Sequence, residues 1–389
     1  VMHPALIVLC CVSLALCSTW SYNITHPENV SDSAFGYVVG VSGDWAVITA
    51  PYANNVNGAG YMYQRADRRE FEFDYHSDLD ISDTSTYRFG HTAAIDGDWV
   101  AMDCMQKCGY SPYSRINLYN WQRTGWKLAQ EISNGLAGSV NVAMEAGLLV
   151  AGWPDVETML GRADVYRLDG DEYRSDAYLS PPSTRGQYGF GDSVAISACG
   201  TRIVIGSGHG GYIDVFDFAE RNWTLTQSMQ QDYYVDEQPG FHLAISSDGH
   251  TIAQGCSEDG DQSHGGGSVH ILSDLDGDGF VLTQTLSVDN TSGLFGQSLV
   301  FSEDSEGQLL AIGAPGDAPT VYLYGRDTTT GEYSQVDYET SSQDTALGEW
   351  VDISGYTLLA GMPTFDEGAH IWYSKDGSVG VFDIYRFLK

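Results

Sequence analysis

A unit that recurs seven times at a spacing near 52 residues, carries four short strands and shows no helical periodicity predicts an all-β chain, a seven-bladed β-propeller of four-stranded antiparallel blades. The anchors of the repeat are Phe35-Gly36, Phe89-Gly90, Gly138-Ser139, Phe190-Gly191, Pro239-Gly240, Phe295-Gly296 and Leu347-Gly348, spaced 54, 49, 52, 49, 56 and 52 residues apart. The first strand of a unit alternates, as in Ser193-Val194-Ala195-Ile196, which is the period of a half-buried strand. A tight turn follows, such as Ser42-Gly43-Asp44 or Asp96-Gly97-Asp98, with residues that tolerate the left-handed backbone of hairpins. The second strand is almost continuously apolar, as in Leu309-Leu310-Ala311-Ile312, and is expected to be covered on both faces. Third strands read Gly60-Tyr61-Met62-Tyr63 or Ala163-Asp164-Val165-Tyr166, and fourth strands read Trp126-Lys127-Leu128 or Trp223-Thr224-Leu225.

The seventh unit runs out after its third strand, which begins at Ser378. Trp20-Ser21-Tyr22-Asn23-Ile24 precedes Phe35 by the distance that separates Phe280 from Phe295. This N-terminal segment is therefore expected to be the missing fourth strand of the last blade, so that the ring closes without an exposed edge. Residues 18–389 then form one domain.

The charge narrows the partners. There are 52 acidic residues against 18 basic ones, only four of them Lys, for a formal net charge of -34. Nucleic acid is excluded as a partner because phosphate binding needs clustered basic residues. An anionic membrane surface is disfavoured for the same reason. The acids gather in hairpins and loops such as 232–237, 257–261 and 303–306, where they solvate the surface first and bridge divalent ions second.

Phe295-Gly296 with Gly313-Ala314-Pro315, Phe35-Gly36 with Thr49-Ala50-Pro51, and Leu347-Gly348 with Gly361-Met362-Pro363 resemble FG-GAP repeats. The resemblance covers essentially the whole chain after residue 17 and implies the seven-bladed propeller of integrin α subunits, a module of cell adhesion. It also implies calcium in the first hairpin of some blades, through a D-x-D-x-D-G loop. The hairpins here lack that pattern. The nearest match, Asp274-Leu275-Asp276-Gly277-Asp278-Gly279, lies between third and fourth strands, and makes Asp274, Asp276 and Asp278 the candidate calcium ligands. The competing reading is a solvated Asp-Gly turn.

Residues 1–17 contain an apolar run from Ala5 to Cys17 that is too short to span a bilayer and has the length of a secretory signal, with cleavage expected before Ser18. A secreted or extracellular protein is expected, with no membrane span. Sequons at Asn23, Asn29, Asn222 and Asn290 agree with this. In that compartment Cys104 and Cys108, placed in one loop of the second blade, are expected to form a disulfide, whereas Cys199 and Cys256 fall on opposite faces and are not expected to pair.

No G-x-S-x-G elbow, H-E-x-x-H or phosphate-binding loop occurs, and no catalytic residue is assigned. Loops joining second to third strands emerge on the same face as the connections between blades. That face holds Tyr52, Tyr110, Tyr113, Trp153, Tyr233, Tyr234, Trp372 and Tyr373, the candidate binding residues. The reading is a non-catalytic interaction module for an extracellular protein or glycan. Two others stand beside it: a structural extracellular glycoprotein that self-assembles, as a homo-oligomer, into matrix or surface fibres, and a carbohydrate-active enzyme using loop acids such as Asp259, Asp261, Asp366 and Glu367.

Overall fold

The computed structural model describes residues 20–27, 33–65, 73–79, 86–106, 113–137, 140–154, 161–182, 189–208, 211–230, 241–257, 266–288, 293–302, 308–341, 346–355, 357–363 and 378–383. Strands in these residues form seven antiparallel sheets, each one repeat, apart from a one-turn helix at Ala53–Val56. The inner strands are Val39–Ser42, Ala93–Asp96, Asn141–Glu145, Phe190–Ile196, Phe241–Ile245, Ser298–Phe301 and Val351–Ser354. Each packs beside the next, and the seventh beside the first, which closes the ring.

The expected closure is observed. Trp20–Thr25 pairs with Ser378–Asp383 as the outer strand of the seventh blade, with Asn23 opposite Gly380 and Ile24 opposite Val379. All seven outer strands carry a register shift against the third strand of their blade. Such bulges twist the outer edge and spoil it as a template for further strands. The second blade departs from the common plan because Thr86–Tyr87 pairs with the end of Trp99–Gln106. That strand consequently runs through Cys104, which is buried within the sheet opposite Arg115 rather than placed in a loop. Cys108 lies outside the described residues.

The core lies between blades. Seven apolar clusters, one per blade interface, account for it among the described residues. Phe35, Phe89, Phe190, Phe295 and Leu347 are fully buried, each wedged between its own blade and the preceding one. The glycine after the wedge has a packing role. Gly348 takes φ +92°, and its carbonyl oxygen lies so close to Gly313 of the sixth blade that a Cβ on Gly313 would overlap it. The same contact joins Gly361 to Gly36, Gly255 to Gly296 and Gly152 to Gly191.

Two sets of polar contacts staple the blades. Around the channel, Asp352 accepts from the Val41 N–H at 2.7 Å, Ser42 from Gly97 at 3.0 Å, Asp96 from Gly147 at 2.9 Å and Ser193 from Leu243 at 3.1 Å. At the rim, a Gln side chain of one outer strand both donates to and accepts from the backbone at the start of the next blade's outer strand. Gln130 does so with Tyr173, Gln227 with Phe280 and Gln284 with Tyr333, at 2.7 to 2.9 Å. Removing one such side chain strands a backbone donor and acceptor in a part-buried seam. Gln227→Ala is therefore expected to cost about 2 kcal/mol, read from the shift in urea midpoint. The exposed Thr285→Ala is expected to change it by less than about 0.5 kcal/mol.

Candidate functional site

The inner strands enclose a channel of about 850 Å³. Its wall mixes apolar residues, such as Ala94, Val142, Ala143, Ala195 and Leu299, with polar ones, among them Asp96, Asn141, Glu145 and Asp352. At one end the lining comes from the residues just after the wedge-glycine pairs, which are polar or aromatic. Tyr37, His91, Asp192, Gln297 and Glu349 take that position in five blades, and His242 and Trp350 come one residue later in the fifth and seventh.

The mouth is a connected polar arrangement. The Tyr37 hydroxyl lies 3.1 Å from His91 Nε2, and the two rings are 5.2 Å apart. Tyr52 stands edge-on to Tyr37 at 6.3 Å, with the Arg88 guanidinium 5.3 Å above its own ring. Behind His91 the fully buried Asp103 accepts from the Thr92 N–H at 2.8 Å, while its Oδ2 has no hydrogen-bond partner among the described residues. Trp350 reaches across the channel. It packs on the clusters flanking the first blade and meets His242 of the fifth at 5.4 Å, edge to face. Ser298 holds the equivalent place in the intervening sixth blade, and its small side chain, turned to the Gly348 carbonyl at 2.8 Å, leaves room for that contact.

Burial sets the charges here. It pushes Asp103 up to about 8 and Glu349 up to about 7, lowers His91 and His242 to about 4, and raises Tyr37 well above the usual phenol range. Near neutral pH the histidines are uncharged and Asp103 is mostly protonated. Folding thus favours protonated acids between their ordinary values, 3.8 and 4.5, and about 8, so these acids make stability fall as pH rises through that window. The histidines act oppositely, and only between about 4 and 6.5. The melting temperature is therefore expected to drop from pH 6.5 to pH 8, where the acids act alone, and Asp103→Asn is expected to flatten the drop.

Of the candidate binding residues, the structure brings Tyr52 to the mouth. Trp153 is corrected: it is only 2% exposed, because the second strand is covered on both faces to its last residue and the indole is locked between the second and third blades. Tyr113 begins a strand, Tyr113–Gln122. Tyr110, Tyr233, Tyr234, Trp372 and Tyr373 lie outside the described residues, as do Asp259, Asp261, Asp366 and Glu367. The sequons at Asn23 and Asn222 are exposed on outer strands, while Asn29 and Asn290 fall outside the description, as do residues 1–19.

Asp274 does turn up between third and fourth strands, but it is buried and directed elsewhere than Asp276 and Asp278. It accepts from the Gly279 N–H at 3.2 Å and faces Arg202 at 3.5 Å and His250 at 3.8 Å. Asp276 and Asp278 are exposed, and no three His, Cys, Asp or Glu side chains are grouped to hold a metal among the described residues. Cys199 sits in a hairpin against Thr201 and Ser197, at the opposite end of its sheet from the position Cys256 takes in the next blade. No helix among the described residues is long and apolar enough to cross a membrane.

The channel mouth was missed in the sequence, although its signal is present. The residue after Phe35-Gly36, Phe89-Gly90, Phe190-Gly191, Phe295-Gly296 and Leu347-Gly348 is a Tyr, His, Asp, Gln or Glu where an inner strand is about to begin.

No family model matches the chain, and no curated protein matches it either. Solved structures do. The β-propeller domain of Myceliophteria thermophila Cps50 (Swd1) is 12% identical, with a TM-score of 0.59, over 94% of this chain and 98% of that one. A candidate 6-phosphogluconolactonase from Bacteroides uniformis is 11% identical, with a TM-score of 0.59, over 79% and 86%. Chaetomium thermophilum Sqt1, bound to the N-terminus of the ribosomal protein L10, is 13% identical, with a TM-score of 0.54, over 91% and 100%. At such identities the likeness establishes the propeller fold alone.

Proposed function

We propose that the protein is a non-catalytic interaction module that binds a protein partner on the face where the channel mouth opens among the loops. The observation that carries this reading is the mouth itself, where Tyr37, His91, Gln297, Glu349 and Trp350 gather at one end of the channel. Aromatics beside polar groups at the centre of a rigid ring are the composition of a recognition surface. Sqt1 supplies a precedent, since it was solved with a polypeptide N-terminus bound. The repeat pattern supports an FG-GAP-like module, and the apolar leader with exposed Asn23 and Asn222 supports an extracellular partner.

Screening a panel of extracellular proteins by surface plasmon resonance tests the reading, with a glycan array in parallel. Binding that is weakened by Tyr52→Ala and untouched by Tyr178→Ala on the outer rim supports it. Turnover of a polysaccharide, or binding to glycans alone, would overturn it.

A further inference from the structure

We infer that the channel mouth binds a single organic cation, a primary alkylammonium group, with the Glu349 carboxylate as its counter-ion, the Trp350 ring beside it and the alkyl tail lying along the apolar residues of the channel wall. Four observations meet there. Glu349 lines the channel, and among the described residues no ion pair reaches it. A buried carboxylate without a cation is costly, and a ligand cation removes that cost.

Trp350 and Tyr37 line the same end, and indole and phenol faces attract an ammonium group once water is excluded. The two imidazoles that would repel a cation, His91 and His242, stay neutral because burial lowers both to about 4. Arg88 does not line the channel; it sits over Tyr52, from where its charge helps to keep His91 neutral. Below the mouth the wall carries Ala94, Val142, Ala143, Ala195 and Leu299, apolar side chains along which an aliphatic tail can lie, beside the acids Asp96, Glu145 and Asp352, whose charge also favours a cation. An ammonium head on an apolar stem meets both kinds of surface, whereas an anion would be opposed by Glu349.

The pH dependence follows from the groups around the mouth. Glu349, raised to about 7, must ionise to hold the cation. Tyr37, His91 and His242 keep their charge state from pH 6 to pH 8. Asp103, behind His91, titrates near pH 8 and is separated by Asp103→Asn. Asp192 lines the opposite side and is engaged by the Gly208 N–H at 2.9 Å.

Isothermal titration of the full chain with n-hexylammonium chloride at pH 8 is the test. Binding is expected, weakening by up to about fourfold for each methylene removed from the probe. It is expected to weaken about tenfold at pH 6, where a group of pKa about 7 is one-tenth ionised, in the wild type and in Asp103→Asn alike. Glu349→Gln, with its melting curve recorded to show that it folds, is expected to bind at least about tenfold more weakly and to lose the pH dependence.

The same ammonium chemistry is carried by a lysine side chain. A capped lysine peptide that binds more tightly than n-pentylammonium assigns the site to a polypeptide, and one that binds more weakly assigns it to a free amine. No heat from n-hexylammonium at pH 8, or an undiminished affinity in folded Glu349→Gln, would overturn the inference. Because the probe is a small amine, that result leaves the protein-partner reading standing, and failure to find a protein partner leaves the amine site standing.

Discussion

Gly313→Ala is expected to destabilise the protein by about 3 kcal/mol or more, at the upper end of overpacking effects, although it adds one methyl group. The added carbon would overlap the Gly348 carbonyl oxygen and press on Ser298 Oγ, and neither is free to retreat. Gly348 is held by its own N–H, which donates to the Gly361 carbonyl at 2.9 Å, and Ser298 Oγ is hydrogen-bonded to the very carbonyl that would be struck. Relief therefore requires the sixth and seventh blades to move apart along a seam that buries Leu347, Leu358 and Met362. Gly277→Asn is the comparison. Gly277 also has a positive φ, of +79°, but an added Cβ meets nothing within 4 Å, and Asn tolerates that conformation. It is expected to cost less than about 1 kcal/mol. Urea denaturation of both variants checks the pair. Equal midpoints would mean that backbone conformation, not close approach between blades, is what the repeat's glycines supply.

That contrast shows why the fold was legible and the site was not. Phe295-Gly296 and Gly313-Ala314-Pro315 recur because every blade interface poses the same packing problem, and a problem solved seven times leaves a period in the chain. The closing strand at Trp20–Thr25 was readable for a related reason, as a fourth strand missing at one end and present at the other. Trp153 misled because an aromatic residue at the end of a second strand reads as a loop residue, whereas its burial is decided by the neighbouring blade. Cys104 misled because Thr86–Tyr87 extends its strand, a pairing that among the described residues occurs in the second blade alone and that the repeat pattern does not carry. The channel mouth depends on residues of six repeats meeting at an axis. Their chemistry differs from blade to blade, so periodicity does not announce them. Asp274 shows the limit of spacing rules: its loop has calcium-like spacing, but Arg202 from the preceding blade takes up one of its carboxylate oxygens.

Deleting residues 1–27 is expected to have the largest effect of any change considered, a loss of about 5 kcal/mol or more, comparable with a domain's whole stability. Trp20–Thr25 supplies the outer strand to Ser378–Asp383, and without it Val379 and Val381, both fully buried, lose their cover. Ile24 packs in the cluster that joins the seventh blade to Phe35 and Tyr61 of the first. The contacts continue past the strand. His26 Nε2 lies 2.8 Å from the Tyr61 hydroxyl, and the Tyr63 hydroxyl donates to the Thr25 carbonyl at 3.3 Å. The segment therefore completes one blade and fastens it to the next, so its removal weakens the ring at the seam where chain ends meet. An open third strand is also a template for another chain, and the truncated protein is expected to associate on size-exclusion chromatography. A synthetic peptide of residues 18–27 added in trans is expected to restore the elution volume of the full-length protein and the cooperative urea transition, because its backbone register against Ser378–Asp383 is already set by the sheet. A truncated chain that stays monomeric with an unchanged midpoint would show that the first six blades and the wedge residues hold the ring without the closing strand.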